Sequence, residues 1–579
     1  MAPLFHLRGY LRRHLGALVL GVVFVICGSG VALLGPLVLQ RAIDSLGTPH
    51  PAHPLWQYAL LIVAVALTSA AFSFGTRWTI NSASRRIEYE LRNDLFQHFQ
   101  RLELAFFQAN KVGDLVARAT NDLTTVRAML GPGISSLINT AVTFTVTMAA
   151  MALLDLRLTL LAGLFLPAMT VIFVALGRRI ERAYRRVQDQ FGDLSAMAQE
   201  NFSGIRVVKA YVQEEHEIAA FGRTNWRYVR HSMHFARLTA GLWPAMSLVS
   251  GLSVAALLWV GGNDVIAHRL SIGEFVQFNA YLGQLAWPMI ALGWSFNLLQ
   301  RGDASLTRIR EVTERAPAIA DRPHPAPARP FAGEIEFQHV TLCYGDHEVL
   351  HDISLRIPAG ATAAIVGPTG SGKTSLMNLI PRVFDAQRGR VLIDGVDVRD
   401  WPLAALRRQI GYVPQETFLF SVPLAENIAY GVESASEAEV EAVAAIAQLS
   451  RDVADFPHGY DTMIGERGVT LSGGQKQRTA IARALMKNPR ILLLDDALSS
   501  VDTHTEEEIL RRLRGVMKQR TSLIISHRIS TVRDADFIVV LDGGRIVDQG
   551  THEELIMRGG LYASMYRRQL LSEELEVEA

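Results

Sequence analysis

Gly367, Pro368, Thr369, Gly370, Ser371, Gly372, Lys373 and Thr374 follow an apolar run from Ala361 to Val366 and lead into Ser375 and Leu376. Glycines at this spacing let backbone N–H groups curl around a phosphate chain at a helix start, where orphan donors and the helix dipole favour an anion. Lys373 is placed to reach the β- and γ-phosphates and Thr374 to ligate Mg²⁺. The order strand, loop, GKT and helix separates this from an ordinary glycine-rich turn, so ATP and Mg²⁺ are the expected cofactors. A second apolar run, Ile491 to Leu494, delivers Asp495 and Asp496 to its C-terminal end. Ligands of open α/β sheets bind at such ends, and Asp495 suits the Mg²⁺ anchor of a P-loop ATPase.

These features alone leave kinases, helicases and motors open. Leu471, Ser472, Gly473, Gly474 and Gln475, twenty residues ahead of the Asp495 strand, resemble the signature of ABC ATPases, which touches the γ-phosphate held by a facing subunit. A serine hydroxyl and glycine N–H groups at a helix start make an anion clamp. The resemblance implies further roles in order along the chain. Tyr344 would stack on adenine, Gln415 in GYVPQETFLF would be the lid glutamine and a Mg²⁺ ligand, Asp502 in SSVD would lie in the interface loop, and His527 in IISHR would be the switch histidine. Two more segments, FFQANKVGDLVARATNDL and ENFSGIRVVKAYVQEE, look like the cytoplasmic turns that carry coupling helices in ABC exporters of the multidrug and peptide type. Asn110 to Asp114 and Ser203 to Arg206 are the coupling candidates, and the resemblance then covers nearly the whole chain.

One position departs from that family. After the Walker B aspartate the family carries glutamate, the general base that polarises the attacking water, and here it is Asp496. Its carboxylate is one methylene shorter, and a misplacement of about 1 Å can cost on the order of 10²-fold in rate. Two readings follow. Asp496 serves adequately in a homodimer, or this chain brings a degenerate P-loop site and an intact signature to a heterodimer whose second half-transporter has glutamate there. The second resembles one chain of heterodimeric bacterial multidrug exporters and of the transporter associated with antigen processing.

The elements that position these residues must be of two kinds. The chain has 579 residues, more than one core usually holds, with 49% hydrophobic and 20% charged residues, which suits a membrane half joined to a soluble half. Six apolar runs are each long enough to cross a bilayer: about Leu15 to Leu39, Trp56 to Gly75, Ile134 to Leu154, Leu158 to Leu176, Leu238 to Val260 and Phe275 to Leu299. The first is too long for a signal peptide's apolar region. Arginine-rich stretches from Arg77 to Leu130 and Arg178 to Arg237 point inward by the positive-inside rule, which makes the N-terminus cytoplasmic. Both have helical chemistry, with Ile87, Leu91, Leu95 and Phe99 about a turn apart, and read as cytoplasmic extensions of membrane helices.

The expected fold is therefore a helical polytopic membrane domain of six spans over residues 1–310, a proline-rich linker over 311–330, and an α/β P-loop ABC ATPase domain over 331–579. By resemblance it is an ATP-hydrolysing exporter half in the bacterial inner membrane, with amphipathic drugs, lipids or peptides as cargo. A homodimeric lipid flippase or a siderophore importer on the same fold is the alternative, and six apolar runs argue against a soluble ABC protein. Gln277, Tyr281 and Gln284 share one face of the last run, with Trp287 and Trp294 nearby, as cargo contacts or as hydrogen bonds that hold the bundle. The net charge of +1 calls for no nucleic-acid partner, and two cysteines, Cys27 and Cys343, cannot build a disulfide framework.

Overall fold

In the computed structural model, residues 7–47, 53–323, 331–465, 469 and 471–578 are described. They divide into two compact units, one drawn from Met1–Gln100 and Val112–Arg315, the other from Arg101–Lys111 and Ala316–Ala579. The proline-rich residues 324–330 lie outside the described residues.

Among the described residues, the first unit is helical apart from short connections. Five stretches are long and apolar enough to cross a membrane: Leu15–Leu46, Leu55–Arg101, Val112–Leu154, Leu156–Ser203 and Glu214–Ile266. Their apolar surface points outward, with Leu160 at 68% and Trp259 at 77% exposure, as lipid-facing residues require. The sixth expected span lies in the helix Ile272–Thr313, which does not meet the same measure of apolarity. Gln277, Asn279 and Gln284 interrupt its apolar run. It begins on a capping box, Ser271 with Glu274, and continues to Thr313, three residues into the proline-rich stretch, where Val312 is fully buried.

Helix ends and irregularities fall where the sequence supplies a cause. Asp155 accepts from the Leu158 amide at 2.9 Å and caps Leu156–Ser203 after the tight reversal. The first stretch breaks at Leu33, between Leu15–Ala32 and Leu34–Leu46. Val112–Leu154 contains two π-helical turns, Arg118–Asp122 and Met129–Gly133, the second holding Pro132. The helices run far beyond bilayer length, and in the extension after the second span Ile87, Leu91, Leu95 and Phe99 are all buried. That is the stripe their turn spacing demands.

The second unit holds two sheets. Strands β1 (Ile335–Tyr344), β2 (His347–Ile357), β4 (Arg388–Ile393) and β5 (Val396–Asp397) form an antiparallel sheet in the order β2-β1-β4-β5. Strands β3 (Thr362–Val366), β6 (Ile410–Val413), β7 (Ile491–Asp495), β8 (Thr521–Ile525), β9 (Phe537–Asp542) and β10 (Arg545–Gly550) form the other. Its order is β10-β9-β3-β8-β7-β6, parallel except for β10 against β9. β7 is buried along its whole length, as its unbroken apolar run predicts. Its alternate side chains enter different cores. Leu493 packs with both sheets and the helix Lys373–Leu379, whereas Leu492 and Leu494 pack with the helices Leu424–Ala429, Glu437–Ile446, Gly473–Met486 and Thr503–Met517.

Candidate active site

The glycine loop joins β3 to the helix Lys373–Leu379, and two of its glycines are required by space. A Cβ on Gly367 would lie 2.0 Å from the Leu541 carbonyl oxygen. Gly372 caps the helix at φ 97°, where a Cβ would also meet Leu350 at 2.7 Å. Lys373 is buried and donates from Nζ to the Gly367 and Pro368 carbonyls at 2.9 and 2.8 Å, so its ammonium is folded onto its own loop. Burial lowers its pKa from the usual lysine value, against the pull of Asp495 and Asp496. Tyr344 donates to Ser375 Oγ at 3.2 Å and sets its ring edge-on to Phe384 at 5.1 Å.

The C-terminal ends of four parallel strands lie on the same edge of the sheet as this loop. β3 delivers Gly367, and β7, two strands away, delivers Asp495 and Asp496. His527 stands exposed two residues beyond β8, which runs between them, and Gln415 stands exposed two residues beyond β6 on the far side of β7. Asp495 is 1% exposed and takes a hydrogen bond from the Thr374 hydroxyl. Burial raises its carboxyl pKa above the usual carboxylate value, Asp496 adds to this, and Thr374, Lys373 and His527 oppose it. Two buried oxygens here, Ser371 Oγ and Asp495 Oδ2, have no hydrogen-bond partner among the described residues. A phosphate chain and a divalent cation are what such a set would satisfy, so these residues fit a nucleotide with Mg²⁺.

Asp496 has φ 47°, left-handed, with its amide donating to the Ile525 carbonyl at 2.8 Å. Aspartate is among the few residues that tolerate this region. The chain is thereby turned sharply out of β7 into the loop that ends at Asp502. Asp502 caps the helix Thr503–Met517 by accepting from the Thr505 amide at 2.9 Å, so its carboxylate is engaged within its own chain. That bond and one from the Thr505 side chain hold its pKa below the usual carboxylate value.

Ser472 caps the helix Gly473–Met486 in a reciprocal capping box with Gln475, at 3.3 Å from the Gln475 amide to Ser472 Oγ and 2.9 Å in return. Asp452, which drew no attention in the sequence, accepts from Gln475 Nε2 at 3.1 Å and from Arg478 at 2.7 and 2.9 Å. Gly473 and Gly474 are called for by close approach, since added Cβ atoms would meet Ser500 at 3.2 and 3.0 Å. Among the described residues, no hydrogen bond or ion pair joins the segment 367–375 to the segment 471–475. The loop's helix belongs to the core shared by both sheets, and the Gly473–Met486 helix to the core that the helices form against the other face of β6, β7 and β8.

In the membrane unit, Gln284, Trp287 and Trp294 line a cavity of about 510 Å³, together with Ser73, Asn139 and Thr143. Gln277 and Tyr281 are buried and do not line it. Gln277 donates to Tyr281 Oη at 3.1 Å, and Tyr281 donates to the Leu33 carbonyl at 3.0 Å. They satisfy the backbone at the break in the first stretch, the bundle-holding role that their spacing also allowed.

Comparison with known proteins places this geometry. A family profile described as the ABC transporter transmembrane region matches residues 18–289, and one described as ABC transporter matches residues 350–499. The chain is 37% identical over 558 residues to a probable multidrug resistance ABC transporter ATP-binding/permease protein of Bacillus subtilis (strain 168), covering 95% of each chain. It is 36% identical over 557 residues to an ATP-dependent lipid A-core flippase of Syntrophus aciditrophicus (strain SB), covering 96% of this chain and 92% of that one. The solved structure of a bacterial Atm1-family ABC exporter with ATP bound matches with a TM-score of 0.79 at 31% identity, over 96% of this chain and 98% of that chain.

Proposed function

The chain belongs to the ABC transporter family, as an ATP-hydrolysing exporter with its membrane and ATPase domains fused, and from this premise we propose that it is the degenerate-site half of a heterodimeric exporter. The observation that carries the dimer is the separation of the two half-sites: the helices that follow residues 367–375 and 471–475 pack into different cores, and among the described residues no bond joins the two segments. Each is complete only against the opposite half-site of a second chain. What favours unlike chains is Asp496, whose short carboxylate leaves β7 through a left-handed turn.

In this reading Lys373 exchanges its two loop carbonyls for the β- and γ-phosphates of ATP, while the Gly367–Ser375 amides hold the rest of the chain of phosphates. Thr374, Gln415 and Asp495 hold Mg²⁺, which neutralises charge on the phosphates when bound. Tyr344 takes the adenine. Asp496 and His527 flank the attacking water, with Asp496 a poor base. Ser472, Gly473, Gly474 and Gln475, with the loop ending at Asp502, clamp the partner's γ-phosphate. The cargo is an amphipathic drug or lipid, in keeping with the names of the two relatives, and Gln284, Trp287 and Trp294 receive it. The helix Ile272–Thr313 makes the sixth span, in a bacterial inner membrane with the ATPase domain cytoplasmic.

The test is steady-state ATP hydrolysis in proteoliposomes by the chain alone and with a second half-transporter bearing glutamate at the base position. A near-background rate alone and a restored rate together are expected. Full activity alone overturns the heterodimer.

A further inference from the structure

Glu506 is a buried carboxylate, 2% exposed, in the first turn of the helix Thr503–Met517. None of the motifs that fix the phosphates contains it. It nonetheless holds both ends of the short segment that follows His527. Arg528 forms an ion pair with it, and Thr531 donates to its second oxygen at 2.6 Å. Arg528 also donates to the Val501 carbonyl at 3.4 Å, and its amide donates to Ser526 Oγ at 3.0 Å. A second clamp comes from the C-terminal helix Leu561–Glu578, where Gln569 accepts from the Ile529 amide at 2.8 Å, an orphan donor at the start of the helix Ile529–Val532. His527 itself is exposed. Its aim is therefore set by its chain neighbours, and Arg528 is fixed by Glu506.

We propose that Glu506 is a positioning residue for ATP hydrolysis: its carboxylate fixes the His527 loop to the helix that continues from Val501 and Asp502. A buried ion pair is a costly way to add stability, and removing one partner strands the other. Its value here is geometric, since two oxygens bound to Arg528 and Thr531 leave the loop one orientation. The same helix follows directly on the loop that lies against Gly473 and Gly474, so the aim of His527 is tied to the position of that loop. The inference rests on the reading of His527 as a site residue.

The experiment is a double-mutant cycle on the purified assembly, built with Asp496→Glu in this chain so that its own site turns over. Glu506→Gln keeps the volume and the bond from Thr531 but sets an amide against Arg528. It is expected to lower kcat about tenfold with KM for ATP changed less than about twofold, because the phosphate-binding groups are untouched. In a His527→Ala background the same substitution is expected to cost almost nothing more. Equal losses with and without His527, or a loss mainly in KM, overturn the proposal. An inert His527→Ala overturns the reading of His527 and this inference with it, whereas no gain from Asp496→Glu bears on the heterodimer alone. If Glu506→Gln fails to fold, Thr531→Val deletes one donor without exposing a charge and carries the same cycle.

Discussion

Gln477 and Ser500 are joined by a hydrogen bond of 2.9 Å, the Ser500 amide donating to the Gln477 side-chain oxygen. Gln477 also donates to Ser499 Oγ at 2.8 Å and is 4% exposed. A residue of the Gly473–Met486 helix thus templates the loop that begins at Asp496. Gln477→Ala removes both bonds to the exposed residues Ser499 and Ser500, worth about 1 kcal/mol each. A lower melting temperature in detergent and a several-fold lower ATP turnover are expected. Parent-like values in both would show that the loop holds its shape unaided.

Asp496→Asn and Ser472→Arg are expected to diverge. The first removes an ineffective base and should change turnover of the heterodimeric assembly less than about threefold. The second blocks the clamp on the partner's γ-phosphate, and losing one preorganised donor costs about 10²- to 10³-fold. Equal damage in steady-state ATPase would make Asp496 a working base.

The polar residues of the last membrane helix separate into two groups. Tyr281→Phe removes the bond to Leu33 and should lower stability by about 1 kcal/mol while leaving cargo affinity unchanged. Trp287→Ala, in the cavity wall, should raise the KM for transport in inverted vesicles without lowering the melting temperature, whereas Gln284→Ala should raise the KM and also remove the long bond to the Ala32 carbonyl at 3.4 Å. A cargo effect confined to Tyr281→Phe would reverse this division.

Orientation can be read by labelling single cysteines in intact cells. Asn263, at the outer end of Glu214–Ile266, should react with an impermeant reagent, and exposed Gln108 and Gln213 should not. Ala52, between the first two apolar runs and outward-facing by the same rule, lies outside the described residues. Labelling of Gln108 would invert the topology.

Legibility followed the range of the interactions. The glycine loop could be read because Gly372 needs its type for a left-handed φ and Lys373 bonds back to Gly367 and Pro368 within the same loop, although the close approach of Leu541 to Gly367 and the bond from Thr374 to Asp495 are long-range. Ser472 and Gln475 were legible as the start of a helix, but their reciprocal capping box appears only in the structure. Gln477, Asp452 and Glu506 were not, because their partners lie more than twenty residues away and a Gln, Asp or Glu on a polar helix has many ordinary uses. Spacing placed Gln277, Tyr281 and Gln284 on one face. Which of them met the cavity depended on the break at Leu33, for which the sequence carries a signal in Pro36: it has no amide to return to the Ala32 carbonyl, which accepts from Gln284 at 3.4 Å.

The two π-helical turns in Val112–Leu154 set the rotational phase of everything beyond them. Each accommodates one residue more than an α-turn, and a residue corresponds to about 100° of helix rotation. Together they offset the upper half by about 200° from an unbroken α-helix through the lower half. Asn139, Thr143 and Thr147, four residues apart, face the cavity because of that offset. Without it, the same side chains would be dialled to nearly the opposite side of the helix.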